Sequence, residues 1–495
     1  MRVIDLEAYG PQSLDARLVP CTDDTSPYAA LSYCWGTGRE RHYITTRVNL
    51  ADGYRHLQHD DMPLTIQHAF QVARRLHIRY IWVDALCIVQ DSRADWHSEA
   101  LKMGAIYSNA ILTIAADHGW DVDAGLFNTN SLYQWIARSI PVNVTVSEDW
   151  KSEINFFTAN LHTSLLSSVE TMLESSPLSR RGWTFQERAM SSRILHYTAE
   201  QLIWECRELY QAEDSLPVIG PDWDHTRTLS ATIFPSPGAI VHPDQLIHDW
   251  YGLVLEPYSE RRFTFPSDRL PAIAGIAEIF GRKLQSEYIS GTWTAGIAAG
   301  LSWYRAGKRW DNGCEELKGP IFSWSSQPSA VRWFLRTNTL SNWKVHIQIV
   351  DSFMENRKGE PYGEVQNVRL KVRGRLKPVV LSTQVFWGEI SKEKPYKVEA
   401  DNEGDDLDVC WVEDGLETTD GQPIGDIYID NVLTSRDLFC LLLWHDTRNS
   451  GMCGLLVEKV RLSAGCFGWR RVGLADLLPV PNMWLTNDFQ ILTLI

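Results

Sequence analysis

The chain has 495 residues, 44% of them hydrophobic and 22% charged, with a net charge of −15 at pH 7. These values are those of a soluble globular protein of about three domains. The acidic balance argues against a phosphate-binding groove as the main business and sets the expectation of no nucleic-acid partner.

Taken in chain order, "MRVIDLEAYG" lacks the apolar core of a signal segment, and no apolar run approaches the roughly 20 residues of a membrane span. The expectation is therefore a cytoplasmic chain with no membrane span. "YAALSYCW" reads as a short strand that runs into "GTG". "MPLTIQHAFQVARRLHI" follows, with Ile66, Ala69, Phe70, Ala73 and Leu76 at helical spacing and Pro63 at a helix start. "YIWVDALCI" reads as the next strand, buried on both faces. "DWHSEALKMGAIYSNA" places Trp96, Ala100, Met103, Tyr107 and Ala110 on one helical face, with Asp91, Ser92 or Asp95 as its cap. "AILTIAA" closes a strand–helix–strand–helix–strand set, which implies an α/β unit with a parallel sheet.

Residues 130–175 are less patterned and read as an insertion. "TFQERAM" reads as a helix, with two short strands after it. From 216 to about 319 a loop rich in Pro leads into helical segments around "HDWYGLVLEPYSERR" and "LPAIAGIAEIFGRKL". From 320 short apolar runs separated by Gly, Asp and charged turns give an all-β pattern, and the acidic run at 399–408 reads as an exposed loop. The domain expectation is 1–215 (core 25–210), a helical connecting region 216–319, and a β-rich domain 320–495.

Nine Cys at irregular spacing, with no CxxC pair, indicate neither a zinc site nor a redox motif, and a reducing compartment. There is no GxSxG elbow, no HExxH and no Walker A sequence, and the GxG at Gly36 lacks a third glycine. Cys34 and Cys87 lie in apolar strands and read as core. The basic pairs "SRRGW" and "GWRR" read as structural.

The informative residues are the polar ones at strand ends. In a parallel α/β sheet, ligands bind outside the carboxyl ends of the strands. Tyr33, Trp35, Gly36, Asp84, Gln90, Trp96 and Glu99 all fall there. Asp84 poses the sharpest question, because a carboxylate in a buried strand is costly unless paired or used. "RRGWTFQER" supplies Arg181 as its expected partner, with Gln186 and Glu187 beside it; Trp183 and Trp204 read as core. Arg181 alternatively grips a phosphate while Asp84 orients Gln186 or a ribose hydroxyl.

Three blocks, "ALSYCWG", "YIWVDALCIVQDSRADWHSEALKMGAIYSNAILTIAA" and "RRGWTFQERAMSSRILHY…LIWEC", together resemble the HET family, the fungal heterokaryon-incompatibility domains. Pieces at 258–277, 288–293 and 322–326 resemble C-terminal parts of large fungal HET proteins. The resemblance implies an effector of allorecognition and programmed cell death after hyphal fusion, with an incompatibility partner protein and self-association into a homo-oligomer. It also implies a TIR- or flavodoxin-like parallel sheet with flanking helices. By analogy with TIR domains that cleave NAD, Glu99, three residues after Trp96, is the catalytic candidate. Tyr33, Trp35, Gly36, Asp84, Gln90, Trp96, Arg181, Gln186 and Glu187 are the ligand-binding candidates. No cofactor is required in this reading, and NAD is the substrate. The alternative is a non-enzymatic signalling or self-assembly module of the same family.

Overall fold

The computed structural model describes residues 1–21, 26–36, 43–54, 56–127, 139–147, 150–157, 169–213, 229, 231–235, 238–306, 320–327, 329–335, 340–356, 361–363, 365–381, 412–417, 423–430, 437–448, 451–463, 466–477 and 489–495. The acidic run at 399–408, Cys314 and Cys410 lie outside them. Two compact units divide the chain, Met1–Ala231 and Thr232–Ile495. The helical region expected to connect two domains falls within the second unit from Thr232 onward.

The first unit is built on one eight-stranded sheet. Its strands are β1 (Arg2–Asp5), β2 (Arg17–Pro20), β3 (Tyr28–Ser32), β4 (Tyr80–Trp82), β5 (Leu112–Ala115), β6 (Arg193–Tyr197), β7 (Leu202–Cys206) and β8 (Tyr210–Ala212). They lie in the order β8-β7-β6-β5-β3-β4-β1-β2. The four central strands are mutually parallel, and antiparallel pairs extend both edges. The sheet is thus mixed rather than wholly parallel. β3 and β5 are buried along their whole length, as expected of central parallel strands covered on both faces.

Helix α1 (Leu64–Arg75) starts after Pro63 and buries Ile66, Ala69, Phe70 and Ala73. Leu76 does not join that face. The helix ends at Arg75, Leu76 is exposed, and His77 turns the chain at φ 57°. The segment read as one long strand, "YIWVDALCI", pairs only over β4. At Asp84 it turns into a single helical turn, α2 (Asp84–Cys87). The Asp84 carboxylate accepts the Ala85 N–H at 2.7 Å, and the Cys87 N–H reaches the Val83 carbonyl at 2.7 Å. A short apolar run carries no periodicity that separates a strand from a buried helical turn.

The next segment forms two helices rather than one, α3 (Arg93–Ala100) and α4 (Met103–Asn109), with Ser92 capping the first. Helix α4 is tied to β3 by two tyrosines: Tyr28 donates to the Ile106 carbonyl at 2.6 Å and Tyr107 to the Leu31 carbonyl at 3.0 Å. Helix α5 (Gly182–Met190) packs against α4. The described part of the expected insertion contains a two-stranded antiparallel ribbon, Ser139–Ser147 with Trp150–Phe157.

The second unit carries helical segments at Pro243–Ser259 and Ala274–Leu284 and a nine-stranded sheet. Its longer strands are β9 (Gln348–Asn356), β10 (Val365–Leu381), β11 (Leu438–Asp446), β12 (Met452–Ser463), β13 (Cys466–Leu477) and β14 (Phe489–Leu494). β10 pairs with β11, β11 with β12 and β12 with β13. β14 pairs with β10 and meets β13, so the strands close on themselves. Within this unit Arg471 is fully buried. It donates to Asp430 Oδ2 from Nη2 at 2.8 Å and Nε at 3.0 Å, and lies 3.4 Å from the Trp303 ring centre.

Removing one side of such a pair leaves the other charge buried alone. Asp430→Ala is therefore expected to lower the unfolding free energy of the second unit by about 3–5 kcal/mol, read from its denaturant midpoint. A shift under about 1 kcal/mol, the range of an exposed pair, would show that the pair is not holding this core.

Candidate functional site

Counted along the parallel strands, β3 is first, β4 second, β5 third and β6 fourth, and they lie side by side as second, first, third, fourth. The chain direction of travel across the sheet therefore reverses between β3 and β5. A crevice outside the carboxyl ends of strands at such a reversal is where open α/β sheets hold ligands. Tyr33–Gly36 follow β3, Asp84 follows β4, Ala116–Asp121 follow β5, and Arg180 and Arg181 precede α5.

These segments meet through specific contacts. Trp35 Nε1 donates to Asp84 Oδ2 at 2.8 Å, and Tyr33 hydrogen-bonds the same carboxylate. Arg181 Nη1 donates to the Tyr33 carbonyl, and its charge acts on both Asp84 and Glu187. Ser32 Oγ donates to Glu187 Oε2 at 2.5 Å, and Tyr107 hydrogen-bonds Glu187 as well. Gly36 adopts φ +83°, and a Cβ there would stand 2.5 Å from the Asp121 Cβ, so only glycine lets the β3 and β5 loops touch.

Burial pushes the Glu187 carboxyl up to about 7, with the Asp84 charge adding to it and Ser32, Arg181 and Tyr107 pulling the other way. Burial likewise holds Asp84 above the ordinary carboxylate range despite Arg181, Trp35, the Ala85 N–H and Tyr33. Burial, then the nearby Asp84, raises the Tyr33 phenol well above its usual value. Two desolvated acids and one guanidinium favour retention of a proton within the cluster. Glu187 is buried, whereas Asp84, Trp35 and Arg181 are only partly so.

The other candidates separate. Gln90 is used by the backbone: Nε2 donates to the carbonyls of Asp84 at 3.0 Å and Ile88 at 3.2 Å. Gln186 is buried in α5. Trp96 meets Trp183 edge-on, ring centres 5.9 Å apart, which links α3 to the start of α5. Glu99 is 4% exposed. Its Oε1 accepts from Lys102 Nζ at 2.9 Å, and its Oε2 is buried with no hydrogen-bond partner among the described residues. Cys34 and Cys87 are buried, and burial pushes the Cys87 thiol up to about 12, so neither is a ready thiolate.

Two features escaped the sequence reading. Trp120 is 63% exposed in the β5 loop, with the Arg180 guanidinium 5.3 Å from its ring centre. Its signal was its place, a Trp after Gly119 just beyond a parallel strand. The second is a buried chain of charges. His196 on β6 touches Asp117 Oδ2 through Nδ1 and Glu205 Oε2 through Nε2, both at 2.8 Å. Arg188 donates to Glu205 Oε2 at 2.9 Å, and Tyr210 donates to Glu205 Oε1 at 3.0 Å. Burial alone would lower the His196 pKa, but Asp117 and Glu205 carry it to about 9. Burial works against the Glu205 carboxylate, yet Arg188 and His196 hold it down at about 2. Here charges balance, and the chain fixes the β5 loop to the β6–β8 edge.

Among the described residues no group of three or more His, Cys, Asp or Glu side chains is placed to hold a metal, and no helix is long and apolar enough to cross a membrane. Residues 28–187 match the family model described as Heterokaryon incompatibility protein (HET). No curated protein and no solved structure matches the chain.

The Glu187 carboxyl gives a signed pH dependence. Its folded value of about 7 lies above the ordinary 4.5, so the folded state holds the proton more tightly. Stability is then full below about 4.5 and falls as pH rises through 7, by about 3 kcal/mol in all. Glu187→Gln should remove this component: the stability difference between variant and wild type should grow in the variant's favour from pH 5 to pH 8. A pH-independent difference in denaturant midpoints would refute the assignment.

Proposed function

We propose that this chain, which carries a HET-family domain over residues 28–187, is an effector of heterokaryon incompatibility. In this reading it acts in the fungal cytosol, bringing on cell death after fusion of unlike hyphae. Its first unit is read as a TIR-like module that self-associates and hydrolyses NAD. The order of the four parallel strands, that of doubly wound flavodoxin-like sheets, supports this reading.

The observation that carries the chemistry is the meeting of Trp35, Asp84 and Arg181 at the sheet reversal. Arg181 is suited to a pyrophosphate oxygen. Asp84 is suited to the ribose hydroxyls and to the positive charge that develops at the anomeric carbon. In the reaction the bond from C1′ to the pyridinium nitrogen breaks, and its electron pair leaves with neutral nicotinamide. A water oxygen bonds to C1′ and its proton is released. Neutral nicotinamide leaves without protonation, so one carboxylate at the crevice suffices. Asp84 takes the role first given to Glu99, because Glu99 is enclosed and held by Lys102.

The test is nicotinamide release from NAD by the full chain, beside Asp84→Asn and Glu99→Gln, each checked for an unchanged melting curve. Wild type should turn NAD over, Asp84→Asn should lose roughly 100-fold or more, and Glu99→Gln should stay within a few fold. The reverse pattern returns the role to Glu99. No release by the wild-type chain overturns the hydrolase reading and leaves the non-enzymatic module.

A further inference from the structure

The β-rich unit carries a feature at odds with the acidity of the chain. Along β10 the sequence "RLKVRGRLK" puts Arg369, Lys371, Arg373, Arg375 and Lys377 at every second position. The alternate residues Leu370, Val372 and Leu376 are buried in the core. Same-side residues on a strand recur about 6.8 Å apart. The first four cations therefore form a ladder on one side of the strand, with Arg369, Lys371 and Arg373 exposed and Arg375 half-buried, whereas half-buried Lys377 stands opposite the buried Cys440 where that side enters the core.

Cross-strand partners set what flanks the ladder, because directly opposed residues share a face. Phe353 of β9 stands opposite Arg369. Ile491 and Phe489 of β14 stand opposite Arg373 and Arg375. These three apolar side chains are 51%, 57% and 41% exposed. Arg373 and Arg375 lie over the Phe489 ring, 5.0 and 4.9 Å from its centre. Two acids of β9 share this face, Asp351 opposite Lys371 and Glu355 opposite Asn367 at the end of the ladder.

The ladder continues past Arg375. Arg375 Nη1 is 2.8 Å from His346 Nδ1, and His346 Nε2 is 2.6 Å from His445 Nδ1. Lys344 is paired across from His445. Burial, then the charges of His445, Arg375 and Lys344, pull the His346 pKa down to about 4. Burial is the larger cause, and the neighbouring Arg375 and Lys344 act in the same direction.

We propose that this face of the second unit binds single-stranded nucleic acid. The backbone would run along β10, with its phosphates on the cation ladder and bases against Phe353 and Phe489. A line of cations at a step comparable with the phosphate step of an extended strand fits a linear polyanion. The aromatic rings beside the line supply the stacking that sequence-tolerant single-strand binders use. This departs from the expectation set by net charge and stands independently of the NAD reading.

The experiment is fluorescence anisotropy of a labelled oligothymidylate with the full chain across a salt series. Binding should weaken with salt by a log–log slope of about −0.7 for each phosphate engaged, so roughly −2 to −3 in all. The double charge reversal Lys371→Glu with Arg373→Glu should cost roughly tenfold or more and flatten the slope. Phe353→Ala should weaken binding and leave the slope unchanged. These side chains are exposed, so melting curves report any loss of fold. Absence of binding, binding indifferent to the reversal, or a preference for duplex DNA overturns the proposal. So does capture only by phosphatidylserine vesicles, which would make the face a lipid surface.

Discussion

One guanidinium facing two desolvated carboxylates is the constraint on which the first unit depends. Arg181 acts on Asp84 and Glu187 together and also holds the Tyr33 carbonyl. Each acid belongs to a different segment: Asp84 starts the turn after β4, and Glu187 lies in α5 and takes the Ser32 hydroxyl from β3. These contacts therefore fix three chain segments at one edge of the sheet. If Arg181 were lost, the buried Glu187 and the half-buried Asp84 would be left with no cation. If either acid were lost, the loop that presents Trp35 would lose its anchor. The cluster explains why an apolar strand leads straight into an aspartate.

Much of this was legible in the sequence. The strand-end rule gathered Tyr33, Trp35, Gly36, Asp84, Gln90, Trp96 and Glu99, and the structure brings the first four together because carboxyl ends of parallel strands share an edge; Arg181, expected from "RRGWTFQER" as the partner of Asp84, joins them from the start of α5. Other features needed information that local pattern does not hold. His196 and Glu205 lie diagonally across two antiparallel strands, with His196 opposite Ile203 and Ile194 opposite Glu205. Register of that kind is set by the whole hairpin, so no spacing in "RILHY" or "LIWEC" announces the contact. Helical periodicity placed Trp96 and Glu99 on neighbouring positions correctly, yet it could not tell that Trp96 would reach Trp183 while Glu99 turned to Lys102.

The cation ladder shows a different kind of blindness. Net charge is a sum over 495 residues, and a sum cannot see alternation. Searching for adjacent basic residues finds "SRRGW" and "GWRR", yet Arg471 is spent on Asp430 and Arg470 on Glu458 inside the second unit. In a strand, adjacent residues point to opposite faces, so two neighbouring arginines cannot build one surface. Cations at i, i+2 and i+4 can. The period that makes "RLKVRGRLK" a strand is the period that concentrates its charge on one side.

The buried charges of the first unit also differ in balance, and this separates scaffold from site. In the His196 chain two acids, Asp117 and Glu205, meet two cations, His196 and Arg188, and the values move away from neutrality, to about 9 for His196 and about 2 for Glu205. Neither His196 nor Glu205 changes charge near pH 7. At the sheet reversal two acids share one cation, and Glu187 sits at about 7. A proton shared within the cluster supplies the missing positive charge, and it is held weakly enough to leave near pH 7. A charge brought to Asp84 would therefore shift that proton, whereas the His196 chain would not respond. Scaffold charges are thus fixed by their partners, and only the cluster at the sheet reversal is left able to change its protonation near pH 7.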